Sequence, residues 1–340
     1  MTTAETLAAV RKIAALVVGD ICLDRWCTYD LSLSEPSRET AIPTVGVMGS
    51  YVSPGAGGTV ANNLASLNAY SVAVLGVLGD DGNGFELERA LQQRGVQLHL
   101  MIKDPQLPTF TYNKLFNSET GIEDRARVDF IPFRPLPPAV ERKVMQRLES
   151  AIGGFDVVIV ADHAKTEHGG VITPGVRSLL RTLAHRFPDK VIWVHSRRRS
   201  EHFRGVIVKP NRQEADEACM RLFHAVDYER LRSHLETKLM IVTRGSEGAL
   251  VVEPGRETPV ATVAVAKPVY PCGAADSFSA GAALALAAKG SPIEAARFGN
   301  LVSSVTMMKE GTGTASPEEV LAAEAALPYD FSRTERRERP

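Results

Sequence analysis

The sequence predicts an α/β fold, a doubly wound and mostly parallel sheet with helices on both faces. Three observations carry it. Short apolar, β-branched runs alternate with helical patterns over most of the 340 residues. The runs end in Gly, Asp, Asn or Thr, as strands that feed loops do. Apolar residues make up 44% of the chain, enough for a sizeable core.

In chain order the strand candidates are Ile13–Val18, Val72–Val77, Val157–Ala161, Val191–Val194, Val206–Val208, Met240–Thr243 and Ala249–Val252. Helical patterns between them include Thr59–Leu67, Gly84–Arg94, Ala139–Ile152, Pro174–Arg186 and Arg212–Leu222. Two segments, 28–52 and 106–133, show alternation without a helix period and read as extra strands forming a small β-lid. The expectation is one domain over 1–330 with those lid segments inserted. A polar, charged tail over 331–340 is expected to be loose.

Composition excludes several functions. Lys plus Arg total 39 against 40 Asp plus Glu, so nothing favours a nucleic-acid partner. The run Arg197-Arg198-Arg199 is the one basic cluster, and it reads as a solvated loop. The four cysteines make no CxxC pair or zinc spacing and read as free thiols of a reducing compartment. Ile13–Val18 is too short for a signal core or a membrane span, so a soluble, cytoplasmic protein without a membrane partner is expected.

The chemistry-bearing residues fall where a parallel sheet binds ligands, at the carboxyl ends of its strands. Asp20 and Asp24 follow the first run, Asp162 and Lys165 follow "VVIVA", Asn211 and Glu214 follow "VIVKP", and Thr243 ends "LMIVT". "YPCGAADSFSAGAALALAA" turns a small-residue loop into a helix. The N–H groups of Gly273, Ala274, Ala275 and Asp276 there suit an anion. Asp276 is either an N-cap or a base for an attacking hydroxyl. Asn211 and Glu214 are spaced to share a face and to approach hydrated Mg²⁺, or else to form a capping box. "TRGSEGALVVE", with Gly245 and Gly248, allows close backbone approach to a ligand or a plain hairpin turn. No GxxxxGK[ST], GxSxG or HExxH occurs.

In order along the chain, "VVGDICLD", a Gly-rich segment near 55, "GDDGNG", "KPNRQE", "TRGSEG" and "GAAD" resemble the ribokinase-like (PfkB) carbohydrate kinases. "GDICLDRW", "RETAIPTV", "RARVDF", "ADHAK" and "KEGTGTASP" resemble the heptose-7-phosphate kinase branch of that family. The resemblance spans roughly residues 13–320. It implies transfer of the ATP γ-phosphoryl group to a hydroxyl of a sugar or sugar phosphate with Mg²⁺, under a β-lid that also forms a homodimer. Asp276 is then the base and Gly273 to Asp276 the anion hole. Asn211 and Glu214 order metal and phosphates. Thr243, Gly245, Gly248, Asn300 and Gly311 lie at the nucleotide, and Asp20, Asp24, Gly55 and Lys165 face the sugar. Arg25 and Arg127 are the charge-based candidates for a substrate phosphate.

The chain departs from the family pattern at ligand-facing edges. Ala275 replaces a glycine, Ala56 stands in the sugar-loop Gly-Gly, Thr59 replaces an Asn, and His195 replaces an Asp. Tyr270 replaces an acid that helps hold K⁺ in relatives, which puts a K⁺ requirement in question. A methyl at Ala275 is harmless at negative φ and obstructive at positive φ. These changes motivate the alternative expectation of a catalytically silent sugar- or nucleotide-binding relative with a sensing role.

Overall fold

The computed structural model describes residues 1–166, 168–262, 269–270 and 272–326. The tail at 331–340 lies outside the described residues. The main sheet uses β1 (Ala14–Gly19), β4 (Ser71–Leu75), β8 (Val157–Asp162), β9 (Val191–Ser196), β10 (Ile207–Val208), β11 (Met240–Thr243), β12 (Ala249–Glu253) and β13 (Arg256–Val260). Their order is β13-β12-β11-β10-β9-β8-β1-β4, parallel from β4 to β11 and closed by the antiparallel pair β12 and β13. All seven strand candidates are present, and β13 is an addition that forms a hairpin with β12.

Strand alternation builds two cores from one sheet. Ala15, Val17, Val72, Val74, Val157, Ile159, Trp193 and Ile241 face one side. They pack on α2 (Gly57–Ser66), α3 (Gly82–Gln92), α8 (Ala274–Ala287) and α9 (Pro292–Thr306). Leu16, Val18, Val158, Val160, Ile192, Val194, Met240 and Val242 face the other, against α4 (Pro138–Ala151), α5 (Pro174–Arg186), α6 (Arg212–Phe223) and α7 (Tyr228–His234). Helices α1 (Thr3–Val10) and α10 (Pro317–Ala325) pack on the first side, contributing Leu7, Val10 and Val320.

A second sheet stands over the carboxyl edge, with order β3-β2-β7. It joins β2 (Ile21–Asp30), β3 (Gly46–Ala56) and β7 (Thr111–Asn117). Both lid segments contribute to it, although 118–133 holds only isolated bridges, such as Thr111 to Phe130 and Phe116 to Glu123. Strand β2 starts one residue after β1, so Asp24 and Arg25 ride on the lid rather than on a loop of the main sheet. The run Val72–Val77 is also divided, because a short pair of β5 (Val77–Gly79) and β6 (Ile102–Asp104) begins past Gly76. A Cβ at Gly76 would lie 2.8 Å from the Gly19 carbonyl oxygen, so the chain turns there at close quarters.

Candidate active site

The N-terminus of α8 carries Asp276. Gly273 takes φ 83°, a left-handed conformation that glycine adopts without penalty, and no side chain caps the helix. Ala275 lies within α8 and is absent from the positive-φ positions, so its methyl adds no backbone strain. The Asp276 amide donates to the Gly273 carbonyl at 3.0 Å. Asp276 N–H is thereby used within the helix, and the Gly273, Ala274 and Ala275 N–H groups have no backbone acceptor among the described residues, in keeping with the two or three donors expected.

Asp276 is buried, with 5% exposure. It does not cap its own helix: its Oδ1 lies 3.1 Å from His195 Nδ1 and 3.7 Å from His163 Nε2. The two imidazoles meet at 3.2 Å. Burial holds both histidines well below the ordinary imidazole range, with Arg197 adding to the effect at His163 and Lys209 and Arg197 at His195. With both rings neutral, the His195 contact with Asp276 is a hydrogen bond rather than an ion pair, and His163, at 3.7 Å, lies just beyond hydrogen-bond distance of it.

Asp24 is buried on β2, with Lys114 Nζ at 3.3 Å and the Cys22 thiol at 3.7 Å. Burial raises its carboxyl above the ordinary range, and Lys114 opposes that rise. Lys114 Nζ also sits 3.7 Å from the Trp26 ring centroid, and Tyr270 packs edge-on against Trp26 at 5.0 Å. Gly55 makes room here, since a Cβ would fall 2.2 Å from Asp24 Oδ1.

Asp20 does something different from the expected sugar contact. Its carboxylate accepts the backbone N–H groups of His163, Ala164 and Val171, each at 2.8 Å, and so pins the loop after β8. Burial, reinforced by nearby Asp162, pushes its pKa up to about 6. Asp162 is itself held by Arg199 and by Ser196 Oγ at 2.6 Å.

Arg25 does not reach this cleft. Alternation along β2 turns it away from Asp24, and it pairs with Glu86 and Asn83 on α3. Arg127 and Lys165 share Asp129 Oδ2 at 2.9 Å each, and both lie 4.9 Å from the Tyr112 ring centroid. The arginine run is not a uniform solvated loop: Arg199 is buried on Asp162 and Arg198 donates to the Lys165 carbonyl at 3.2 Å. Arg197 keeps solvent contact; burial lowers its pKa, and nearby groups, among them the Asp276 and Glu214 carboxylates, outweigh that and raise it.

On the far side, Asn211 and Glu214 form a reciprocal capping box: Asn211 Oδ1 accepts the Glu214 amide at 2.8 Å and Glu214 Oε2 accepts the Asn211 amide at 2.7 Å. Glu214 Oε1 remains outside that box. Lys209, a residue sequence reasoning passed over inside "VKPN", is fully buried and its Nζ has no hydrogen-bond partner among the described residues. Burial lowers its pKa, while Glu214 and Asp276 pull it back up. Thr243 bridges to Asn211 at the end of β11, and Gly245 and Gly248 form the turn into β12, so the hairpin reading holds. A Cβ at Gly248 would collide with the Val260 carbonyl oxygen at 2.2 Å. Asn300 spends its amide on the carbonyls of Val260 and Ala261 at 3.3 and 3.1 Å. Gly311 lies toward the lid, where a Cβ would sit 3.3 Å from Tyr51 Oη.

Comparison with known proteins agrees with this layout. Residues 206–319 match the model of the pfkB family carbohydrate kinases. "Bifunctional protein HldE" of Pelobacter propionicus is 31% identical over 332 residues, covering 94% of this chain and 65% of that protein. The chain thus spans about two thirds of the length of the curated relatives it matches. Phosphofructokinase-2 from Escherichia coli in complex with potassium superposes with a TM-score of 0.71 at 19% identity, over 95% of this chain and 99% of that one. Ribokinase of Arabidopsis thaliana complexed with ribose and ATP gives 0.67 at 17% identity, over 92% and 98%. At such identities the structural likeness speaks for the fold.

The Asp20 geometry generates a pH prediction. Its folded pKa lies above its ordinary value of 3.8, so its favourable contribution is complete below that value and is lost as pH rises towards about 6. The Asp20→Asn variant does not titrate there and leaves one loop amide unpaired. Its deficit against the wild type should be largest near pH 4 and shrink by about 1.4 kcal/mol per pH unit up to about 6. Urea melts of both proteins across that range measure it, and a deficit that stays flat or grows with pH contradicts the assignment.

Proposed function

The chain belongs to the pfkB family of carbohydrate kinases, and from that premise we propose that it transfers the γ-phosphoryl group of ATP to a hydroxyl of a sugar or sugar phosphate, with Asp276 as the base. The observation that carries this reading is the pairing of a buried carboxylate with helix-terminal amides at the N-terminus of α8. His195 on Nδ1 donates to Asp276 Oδ1 and orients the carboxylate, leaving Oδ2 to accept the hydroxyl proton. The amides of Ala274 and Ala275 receive the charge that gathers on the migrating group. Asp24, with Gly55 leaving space beside it, takes sugar hydroxyls. Lys209 and Arg197 neutralise phosphate oxygens, which gives the orphaned Lys209 ammonium its partner.

Mg²⁺ fits the same side. Glu214, whose Oε1 lies outside the capping box, would hold it through water alongside Asn211. When bound it offsets charge on the ATP phosphates.

A sugar phosphate, of which a heptose 7-phosphate is the specific candidate, is favoured by the cations around Tyr112. Arg127 and Lys165 stand together beside Asp129 at the lid edge, where a phosphate could replace that carboxylate. The lid is also the proposed homodimer surface. Leu33, Ile42, Val47, Met48 and Tyr51 are exposed at 53%, 65%, 48%, 55% and 55% on or next to the edge strand β3, an apolar row that a second copy would cover.

Three outcomes test these points. Asp276→Asn should fold and bind ATP nearly as the wild type does and lose about 100- to 10,000-fold in kcat, read as ADP release with a sugar-phosphate panel; turnover at the wild-type rate removes Asp276 as base. Arg127→Ala should raise KM for a sugar phosphate about tenfold or more while kcat and the KM for ATP hold, a loss of about 1.4 kcal/mol in binding. An unchanged KM places the substrate phosphate elsewhere. Met48→Asp should convert a dimer to a monomer in sedimentation velocity, and a wild type that is already monomeric at micromolar concentration ends the dimer proposal.

A further inference from the structure

His163, His195 and Asp276 come together although the first and last of them lie far apart in sequence. Neighbouring strands β8 and β9 pair Ala161 with His195, so the His163 ring, two residues further on, reaches across to it. All three residues are buried, at 0%, 3% and 5% exposure. His163 Nε2, His195 Nδ1 and Asp276 Oδ1 lie within 3.1 to 3.7 Å of one another.

The protons available do not satisfy this triangle. Each neutral imidazole carries one N–H. If His195 bears it on Nδ1, that single proton faces both Asp276 Oδ1 and the His163 Nε2 lone pair. His163 Nδ1–H then stands buried with no partner among the described residues. If His163 bears it on Nε2, the bare Nδ1 of His195 faces the Asp276 carboxylate at 3.1 Å, lone pair against lone pair. Both arrangements leave a buried polar group unmatched, which costs about 1–3 kcal/mol.

A cation between the three atoms would replace the contested proton: the His163 Nε2 and His195 Nδ1 lone pairs and Asp276 Oδ1 could all serve it, with each ring's proton on its other nitrogen, and His163 Nδ1–H would stay without a partner among the described residues. Ligands around a tetrahedral Zn²⁺ with bonds of about 2.0–2.1 Å stand about 3.3 Å apart. The observed separations of 3.1, 3.2 and 3.7 Å bracket that spacing. Two imidazoles and one carboxylate form a donor set suited to zinc and its first-row neighbours, and unsuited to Mg²⁺.

We propose that His163, His195 and Asp276 form a binding site for a divalent transition-metal ion of the zinc class, with water or a substrate hydroxyl as fourth ligand. The site stands on these three residues alone. Its consequence for catalysis rests on the kinase reading: a cation on Oδ1 lowers the basicity of Asp276 and inhibits phosphoryl transfer.

The test reads binding without sugar or nucleotide, so it succeeds or fails apart from the kinase assignment. Untagged apoprotein is titrated with Co²⁺. One equivalent should produce the visible d–d bands of tetrahedral Co²⁺, without a thiolate charge-transfer band, and Zn²⁺ should bleach them. His163→Phe and His195→Asn should each weaken Co²⁺ binding at least tenfold and Asp276→Asn likewise, while circular dichroism and melting of the metal-free variants stay close to the wild type. If one variant fails to fold, His163→Gln supplies the reading. Absence of tetrahedral bands at millimolar Co²⁺, a thiolate band, or the same affinity in folded variants overturns the site. With the site upheld, added Zn²⁺ should lower ADP release in excess Mg²⁺ by at least tenfold, and this inhibition should weaken in His163→Phe.

Discussion

The Asp20 carboxylate is the constraint on which the cleft depends. It sits at the end of β1 and accepts amides from His163, Ala164 and Val171, so three points of the following loop converge on one side chain. Hydrogen bonds to a charged acceptor contribute about 1.5–3 kcal/mol each, against the cost of burying the charge. The path of that loop decides where the His163 ring goes, and through His195 it decides how Asp276 is oriented. Moving the loop would strand a buried acid beside a second buried acid, Asp162, which is why Arg199 and Ser196 brace Asp162 in turn. The Asp276 carboxylate is therefore held by a relay that begins at the neighbouring strand.

Much of this fold is written in apolar periodicity. The strand runs appear because the parallel sheet buries both faces, and α5 spans the expected Pro174–Arg186 because a Thr173 cap, a proline start and a basic last turn mark it. Periodicity fails where two sheets meet in one run. Only Asp20 separates β1 from β2, so nothing in the pattern shows that the chain leaves the main sheet, and the strand-end reading puts Asp24 just past β1. Once β2 is a strand, alternation separates them: Asp24 faces the cleft and Arg25 faces α3.

The site was legible by position and less so by partner. The helix-start reading put Asp276 at the N-terminus of α8, and placing polar residues at strand ends picked out Asn211 and Thr243, which the structure brings together at the ends of β10 and β11. It could not tell a contact made to substrate from one made to backbone, and Asp20 and Asn300 turned out to serve the backbone. The His163–His195 contact needed the β8–β9 register, which no spacing along the chain reveals. Three adjacent arginines likewise point to three environments, because a turn after β9 rotates each one away from the next.

Charge balance differs between the two buried lysines of the site. Lys114 is satisfied in place, between Asp24 and the Trp26 ring. Lys209 is not: it is fully buried, has no hydrogen-bond partner among the described residues, and feels Glu214 and Asp276 only through space. Such a group lowers stability, since its desolvation is not repaid within the fold. On the proposed reading, a phosphate oxygen arriving beside it would offset that cost at the moment of binding, and part of the folding stability lost at Lys209 would return as affinity for the anion.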